Sequence, residues 1–128
     1  MRKTMPVSEC MSRLPEEIDR RDRLSVAMRR MRERCVRHLP VMDGPHVFGV
    51  LSRDDVEDAW LMHGAGVESW PVGDLCARAP LMVSPGVPIP EVAQCMVERG
   101  VTSALVVDEG MLVGIFTSVD ALRLLADL

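Results

Sequence analysis

The feature that most restricts how this chain can fold is an internal duplication. Shifting the 128-residue sequence by 65 positions lays Gly49 on Gly114 and Asp55 on Asp120 without a gap. The same shift superposes Val7 on Val72, Arg13 on Arg78, Pro15 on Pro80, Met31 on Met96, Glu33-Arg34 on Glu98-Arg99, Val36 on Val101, Val41 on Val106 and Asp43 on Asp108. Chemically similar residues fill further positions, among them Leu24 with Ile89, Val50 with Ile115 and Ser52 with Thr117. A register held over such a span marks one supersecondary unit present twice. The repeats are placed at residues 1–61 and 72–128, joined by a connector at 62–71 that holds two Gly, His63 and Pro71.

Within each copy the hydrophobic periodicity changes in the same order. A short apolar segment (around Ile18; Leu81-Met82-Val83) precedes a helical pattern. In the second copy Ile89, Val92, Ala93, Met96 and Val97 trace one helix face, and in the first Leu24, Ala27, Met28, Met31 and Cys35 do the same. Pro90 fits a first helical turn, whose N–H groups have no intrahelical partner, and Gly100 fits the left-handed stop. Two apolar runs follow in each copy, separated by Asp43-Gly44-Pro45 or Asp108-Glu109-Gly110, and read as hairpins. A closing helix begins at Ser52 or Thr117 and carries Val56, Ala59 and Trp60, or Val119, Leu122 and Leu125. The predicted fold is α+β, with two β-α-β-β-α repeats. One copy alone cannot cover both faces of its sheet, so the two are expected to pack about a pseudo-twofold axis as one compact module.

Composition narrows the functional classes. No apolar run approaches a membrane span, and the basic start Met1-Arg2-Lys3-Thr4 runs into Pro6 and Glu9 rather than an apolar signal core. The four cysteines (Cys10, Cys35, Cys76, Cys95) form no Cys-x-x-Cys and sit near no His at zinc-ligand spacing, so free buried thiols in a reducing cytoplasm are expected, with no metal. Aromatics are 3% of the chain, leaving Val, Leu, Ile, Ala and ten Met to build the core. Charge is unevenly spread: residues 1–45 hold eleven Arg and Lys against seven Asp and Glu, and residues 46–128 hold four against twelve. The net charge of −4 argues against bulk nucleic-acid binding. The cluster Arg29, Arg30, Arg32 and Arg34 lies mostly off the apolar stripe and reads as a solvated helix face, since no aromatic residues interleave. No nucleophile–base pair or Gly-rich phosphate loop is present, so neither a catalytic residue nor an enzyme is expected.

Two stretches carry a family resemblance. One runs from Met31 to Asp43 and continues through Phe48-Gly-Val-Leu-Ser-Arg-Asp-Asp55; the other runs from Met96 to Asp108 and continues through Leu112-Val-Gly-Ile-Phe-Thr-Ser-Val-Asp120. Repeated in register, they resemble the cystathionine-beta-synthase (CBS) domain, whose paired form is the Bateman module. The resemblance implies a regulatory module that binds adenine nucleotides or related adenosyl compounds (AMP, ADP, ATP or S-adenosylmethionine) in clefts between the repeats. It further implies a homodimer of modules, a regulated enzyme or transporter as partner, a cytoplasmic setting and no required cofactor. A CBS pair with empty clefts, serving as a dimerisation or interaction scaffold, is the alternative.

The motif Ser/Thr-x-x-Asp opens each closing helix, as Ser52 with Asp55 and Thr117 with Asp120. It reads as a capping box, in which hydroxyl and carboxylate satisfy backbone N–H groups. The same placement also suits a carboxylate accepting ribose hydroxyls, with the hydroxyl and helix N–H groups holding phosphate. Arg37 and His38 stand where the family places basic side chains against phosphate, and a solvated strand edge is the other reading. The second copy has Thr102 and Ser103 there. Because family clefts are composite, Arg37 and His38 are expected to serve the cleft of Thr117 and Asp120, and Thr102 and Ser103 that of Ser52 and Asp55. Backbone groups near Ile18 and Val83 are expected to read adenine. Glu16, Glu17 and Asp19 would repel phosphate if they faced it. Gly49 and Gly114, inside strands, are expected to mark close backbone approach.

Overall fold

The computed structural model describes residues 4–13 and 15–128; residues 1–3, part of the basic start judged not to be a signal peptide, and Leu14 lie outside the described residues. A single 3-10 turn (Val7–Glu9) leads to β1 (Ser12–Arg13), β2 (Ile18–Asp19), α1 (Leu24–Arg34), β3 (His38–Asp43), β4 (His46–Ser52) and α2 (Arg53–His63). Two more such turns (Ala65–Ser69 and Val72–Asp74) precede β5 (Met82–Val83), α3 (Ile89–Arg99), β6 (Ser103–Asp108), β7 (Met111–Thr117) and α4 (Ser118–Ala126). The α+β series expected from the duplication is present in both copies.

The chain forms two compact units whose borders cut across the repeats. One unit is Glu16–Ala79; the other joins Met1–Pro15 to Pro80–Leu128. In the first, β2 runs parallel to β3 and β3 pairs antiparallel with β4, from His38 opposite Ser52 to Asp43 opposite His46. Ile18, Leu24, Ala27, Met31, Leu39, Val41, Leu51, Val56 and Ala59 form its core, completed by Val67 and Val72. In the second, the sheet order is β1-β7-β6-β5, and β6 faces β7 from Ser103 opposite Thr117 to Asp108 opposite Met111. Leu81, Ile89, Val92, Met96, Ala104, Val106 and Phe116 close on Val7 there. The register slips between Val41 and Met42 in one hairpin and between Val106 and Val107 in the other, the same place in both repeats.

Each unit therefore takes in the segment that leads the other repeat. Val72 N–H donates to Asp22 O at 2.8 Å and Leu24 N–H to Trp70 O at 2.9 Å. The equivalent pairs are Val7 N–H to Val87 O at 2.8 Å and Ile89 N–H to Met5 O at 2.9 Å. The incoming segments then run along β4 or β7, which explains the two strand glycines. A Cβ on Gly49 would collide with the Ala77 carbonyl oxygen, while one on Gly114 would meet the Met11 thioether and lie 3.0 Å from Ser12 O. Close backbone approach, as expected, is what glycine permits here.

Some helix faces differ from the expected stripes. Cys35 is not part of α1 but its C-cap, left-handed at φ 54°, and it is exposed rather than buried. Each of the four thiols is free, with Cys10, Cys76 and Cys95 half-buried. On α3 Val97 points outward, 76% exposed, although Ile89, Val92 and Met96 are buried. The correction is larger for α4. Val119, Leu122 and Leu125 are exposed, and the helix packs instead through Asp120, Ala121 and Leu124. Its capping box sets that rotation, because Asp120 must fold back onto Thr117.

Candidate functional site

Both closing helices begin with a complete capping box. Ser52 N–H donates to Asp55 Oδ2 at 2.9 Å, and Asp55 N–H donates to Ser52 Oγ at 3.1 Å. At the second start, Thr117 N–H and Thr117 Oγ1 donate to Asp120 Oδ2 at 2.9 and 3.2 Å, and Asp120 N–H approaches Thr117 Oγ1 at 3.5 Å. These bonds use one oxygen of each carboxylate, Oδ2. Asp120 Oδ1 lies 3.9 Å from the exposed Arg123 guanidinium, and the Asp120 residue is only 9% exposed. Asp55 is half-buried, so the first start is the more open of the two. Each box also orients its carboxylate in a helix first turn, where backbone N–H groups favour negative charge.

Within each unit the residues at the start of β3 or β6 lie beside the closing helix of their own repeat. His38 is cross-strand from Ser52, and the Arg37 carbonyl accepts from Arg53 N–H at 2.8 Å. Ser103 is cross-strand from Thr117, and the Thr102 carbonyl accepts from Ser118 N–H at 3.0 Å. Ser103 is buried, whereas Arg37 and Thr102 are exposed. The Arg37 side chain lines a groove of about 550 Å³ beside α1 and α2, together with Arg32, Arg53, Glu57, Met28 and Trp60. Ile18 is buried in the parallel ladder opposite Val41, and half-buried Val83 occupies the equivalent place opposite Val106.

In the leading segment Glu16 and Asp19 meet cations of their own unit, and Glu17 is held through its backbone. Glu16 Oε1 lies 2.7 Å from Arg34 Nε, and Arg30 Nη1 donates to the Glu17 carbonyl at 2.6 Å. Asp19 Oδ1 accepts from the Arg21 backbone N–H at 2.8 Å and lies 3.5 Å from Arg21 Nη1. Part of the Arg cluster read as a solvated face thus anchors this segment. Sequence reasoning also missed a cationic stack. Arg78 lies over the Phe48 ring at 3.8 Å and Arg20 at 5.1 Å, while Arg20 Nε and Arg21 Nη2 approach Asp43 at 3.3 and 3.2 Å. Desolvation raises the Asp43 carboxyl, but Arg20 and Arg21 outweigh it and hold the group below its ordinary range. The Arg13–Arg78 repeat gave no hint of this, since the second copy has Val113 where Phe48 stands.

Among the described residues no group of three His, Cys, Asp or Glu side chains could hold a metal ion, and no helix is long and apolar enough to cross a membrane. A duplicated α+β unit with a capped carboxylate at each closing helix defines a tandem-repeat module. The chain belongs to the CBS domain family: the family profile matches residues 7–61 and again 72–127, making it a tandem CBS pair. Solved structures agree on the fold. An uncharacterised conserved protein from Pyrococcus horikoshii is 26% identical, with 97% of this chain and 94% of that one covered at a TM-score of 0.88. The CBS domain pair of protein MJ0100, solved with 5'-methylthioadenosine and S-adenosyl-L-methionine, is 21% identical over 97% and 98% of the chains, also at 0.88. Hypoxic Response Protein I, solved with two coordinated zinc ions, is 25% identical over 93% and 98%, at 0.80. No curated protein matches this sequence.

Proposed function

We propose that this CBS pair is a non-catalytic regulatory module that binds an adenosyl ligand and passes its bound state to a partner enzyme or transporter in the cytoplasm, working as a homodimer. Asp55 and Asp120 take the ribose hydroxyls, and Ser52 and Thr117 with the helix N–H groups take phosphate or its substitute. Arg37 and His38 add cationic contacts, with Thr102 and Ser103 as their uncharged counterparts, and the backbone near Ile18 and Val83 reads adenine. One observation carries the reading: two repeats of different sequence hold a carboxylate in the same first-turn position, each with Oδ2 bonded 2.9 Å from its cap. The adenosyl compounds bound by the MJ0100 pair support the ligand class.

AMP, ADP, ATP and S-adenosylmethionine should be compared by thermal shift on ligand-cleared protein. A ligand at a hundredfold excess over its dissociation constant stabilises by about 2.7 kcal/mol, a shift of several degrees for a chain of this size. No shift with any of them would leave the scaffold reading, which the exposed apolar positions of α3 and α4 favour.

A further inference from the structure

The groove beside α1 and α2 lies wholly within the unit Glu16–Ala79, and its volume of about 550 Å³ is that of a small-molecule site. Its floor is apolar, built from Met28, Met31, Val36 and Val56 with the partly exposed indole of Trp60. Three guanidinium-bearing residues border it, Arg32 on α1, Arg37 before β3 and Arg53 on α2, against the one carboxylate of Glu57. The backbone brings these charges together. The helix α1 stops at the left-handed Cys35, and the Arg37 carbonyl accepts from Arg53 N–H at 2.8 Å. Glu57 lies 3.9 Å from Arg53 in a long, exposed pair, and among the described residues Arg32 and Arg37 form no ion pair. Charges of one sign along an apolar cleft focus their field and concentrate counter-ions there.

The duplication supplies an internal control. A shift of 65 residues keeps Met31 and Val36 of the floor as Met96 and Val101, but turns Arg32, Arg37 and Arg53 into Val97, Thr102 and Ser118. Cations from three different parts of the first repeat therefore surround one groove and are all missing from its counterpart, in a chain whose net charge is −4. Folding does not call for them, since the second repeat forms the same elements without them. The geometry points to a further small-molecule site in the first repeat, taking an amphipathic acid whose apolar tail lies on the Met, Val and Trp floor and whose carboxylate is held by the guanidiniums. A guanidinium fork matches a carboxylate with paired N–H donors, and the unbranched Met28 and Met31 adapt to an aliphatic tail. The site stands independently of the adenosyl reading; Arg37 is common to both, so the test leaves Arg37 unchanged.

Calorimetric titration of the full chain with decanoate, kept below its micelle concentration, tests the proposal. Decanoate should bind, while decanol, which lacks the charge, and acetate, which lacks the tail, should each bind at least about tenfold more weakly. Combining Arg32→Gln with Arg53→Gln should weaken decanoate by about tenfold or more. Glu57→Gln removes the one carboxylate of the rim and should tighten binding. In a Trp70→Phe chain the emission of Trp60 should change as decanoate is added, which puts the tail in the groove. Equal binding of decanol and decanoate, or unchanged affinity in the combined Arg variant, overturns the site. So does a failure of decanoate to bind, whatever the adenosyl titrations give. Every substituted position is exposed, and thermal melts of the variants check that folding is intact.

Discussion

The two units share a backbone and differ in which residues occupy its demanding positions. Residues 35 and 100 are both left-handed, at φ 54° and 64°, as are residues 44 and 109 at 60° and 50°. Yet the first repeat has Cys35 at the helix stop and Gly44 in the hairpin, and the second has Gly100 at the stop and Glu109 in the hairpin. Conformation has been kept while side chains moved around it. The residues at the helix starts show the same division. The Ser/Thr–Asp boxes coincide, whereas Arg37-His38 faces an uncharged Thr102-Ser103 in the copy. Duplication has preserved the parts that set geometry and released those that set charge, so the two helix starts are built alike and differ in the charge beside them.

The comparison can be broken at the strand glycines, where the largest effect lies. Gly49→Ala drives its methyl into a backbone carbonyl that cannot yield without opening the Val50–Ala77 bridge, which is bonded at 3.1 and 3.0 Å. Gly114→Ala mainly meets the flexible Met11 side chain. Denaturant unfolding should show a loss of about 3 kcal/mol for the first and about 1 kcal/mol for the second. Equal losses would mean that the two incoming segments are held alike.

A smaller effect of opposite sign belongs to the left-handed positions. Cys35→Gly and Glu109→Gly each relieve a strained non-glycine residue at some loss of chain entropy, and should each stabilise by about 0.5–1 kcal/mol. Gly44→Ala and Gly100→Ala should destabilise by about 1 kcal/mol. Chemical denaturation of the four variants measures all of this, and a sign common to all four would contradict it.

Much of this is legible in the sequence. Register, element order, hairpins, both capping boxes and the close approach at Gly49 and Gly114 follow from periodicity and the 65-residue shift, since they depend on local chemistry repeated in step. The exchange of leading segments was not legible. Val7 and Val72 are buried valines whose sequence does not say which core they enter. The outward turn of Leu122 and Leu125 was also missed, because an apolar stripe on a helix looks the same whether it faces a core or a partner. Nor could spacing reveal that Glu16 is met by Arg34, or that two guanidiniums stack on Phe48, since these pairs form only once distant segments meet.

The most direct test of the central claim is calorimetric titration of ligand-cleared protein with its best adenosyl ligand, repeated for Asp55→Asn and Asp120→Asn. Asparagine keeps an oxygen for the cap N–H and removes the charge offered to ribose, so folding should hold while binding suffers. A charge-assisted hydrogen bond of about 1.5–3 kcal/mol is at stake at each helix start. The account predicts at least a tenfold loss of affinity in one or both variants, and no measurable binding when they are combined. Wild-type affinity in the double variant would contradict it.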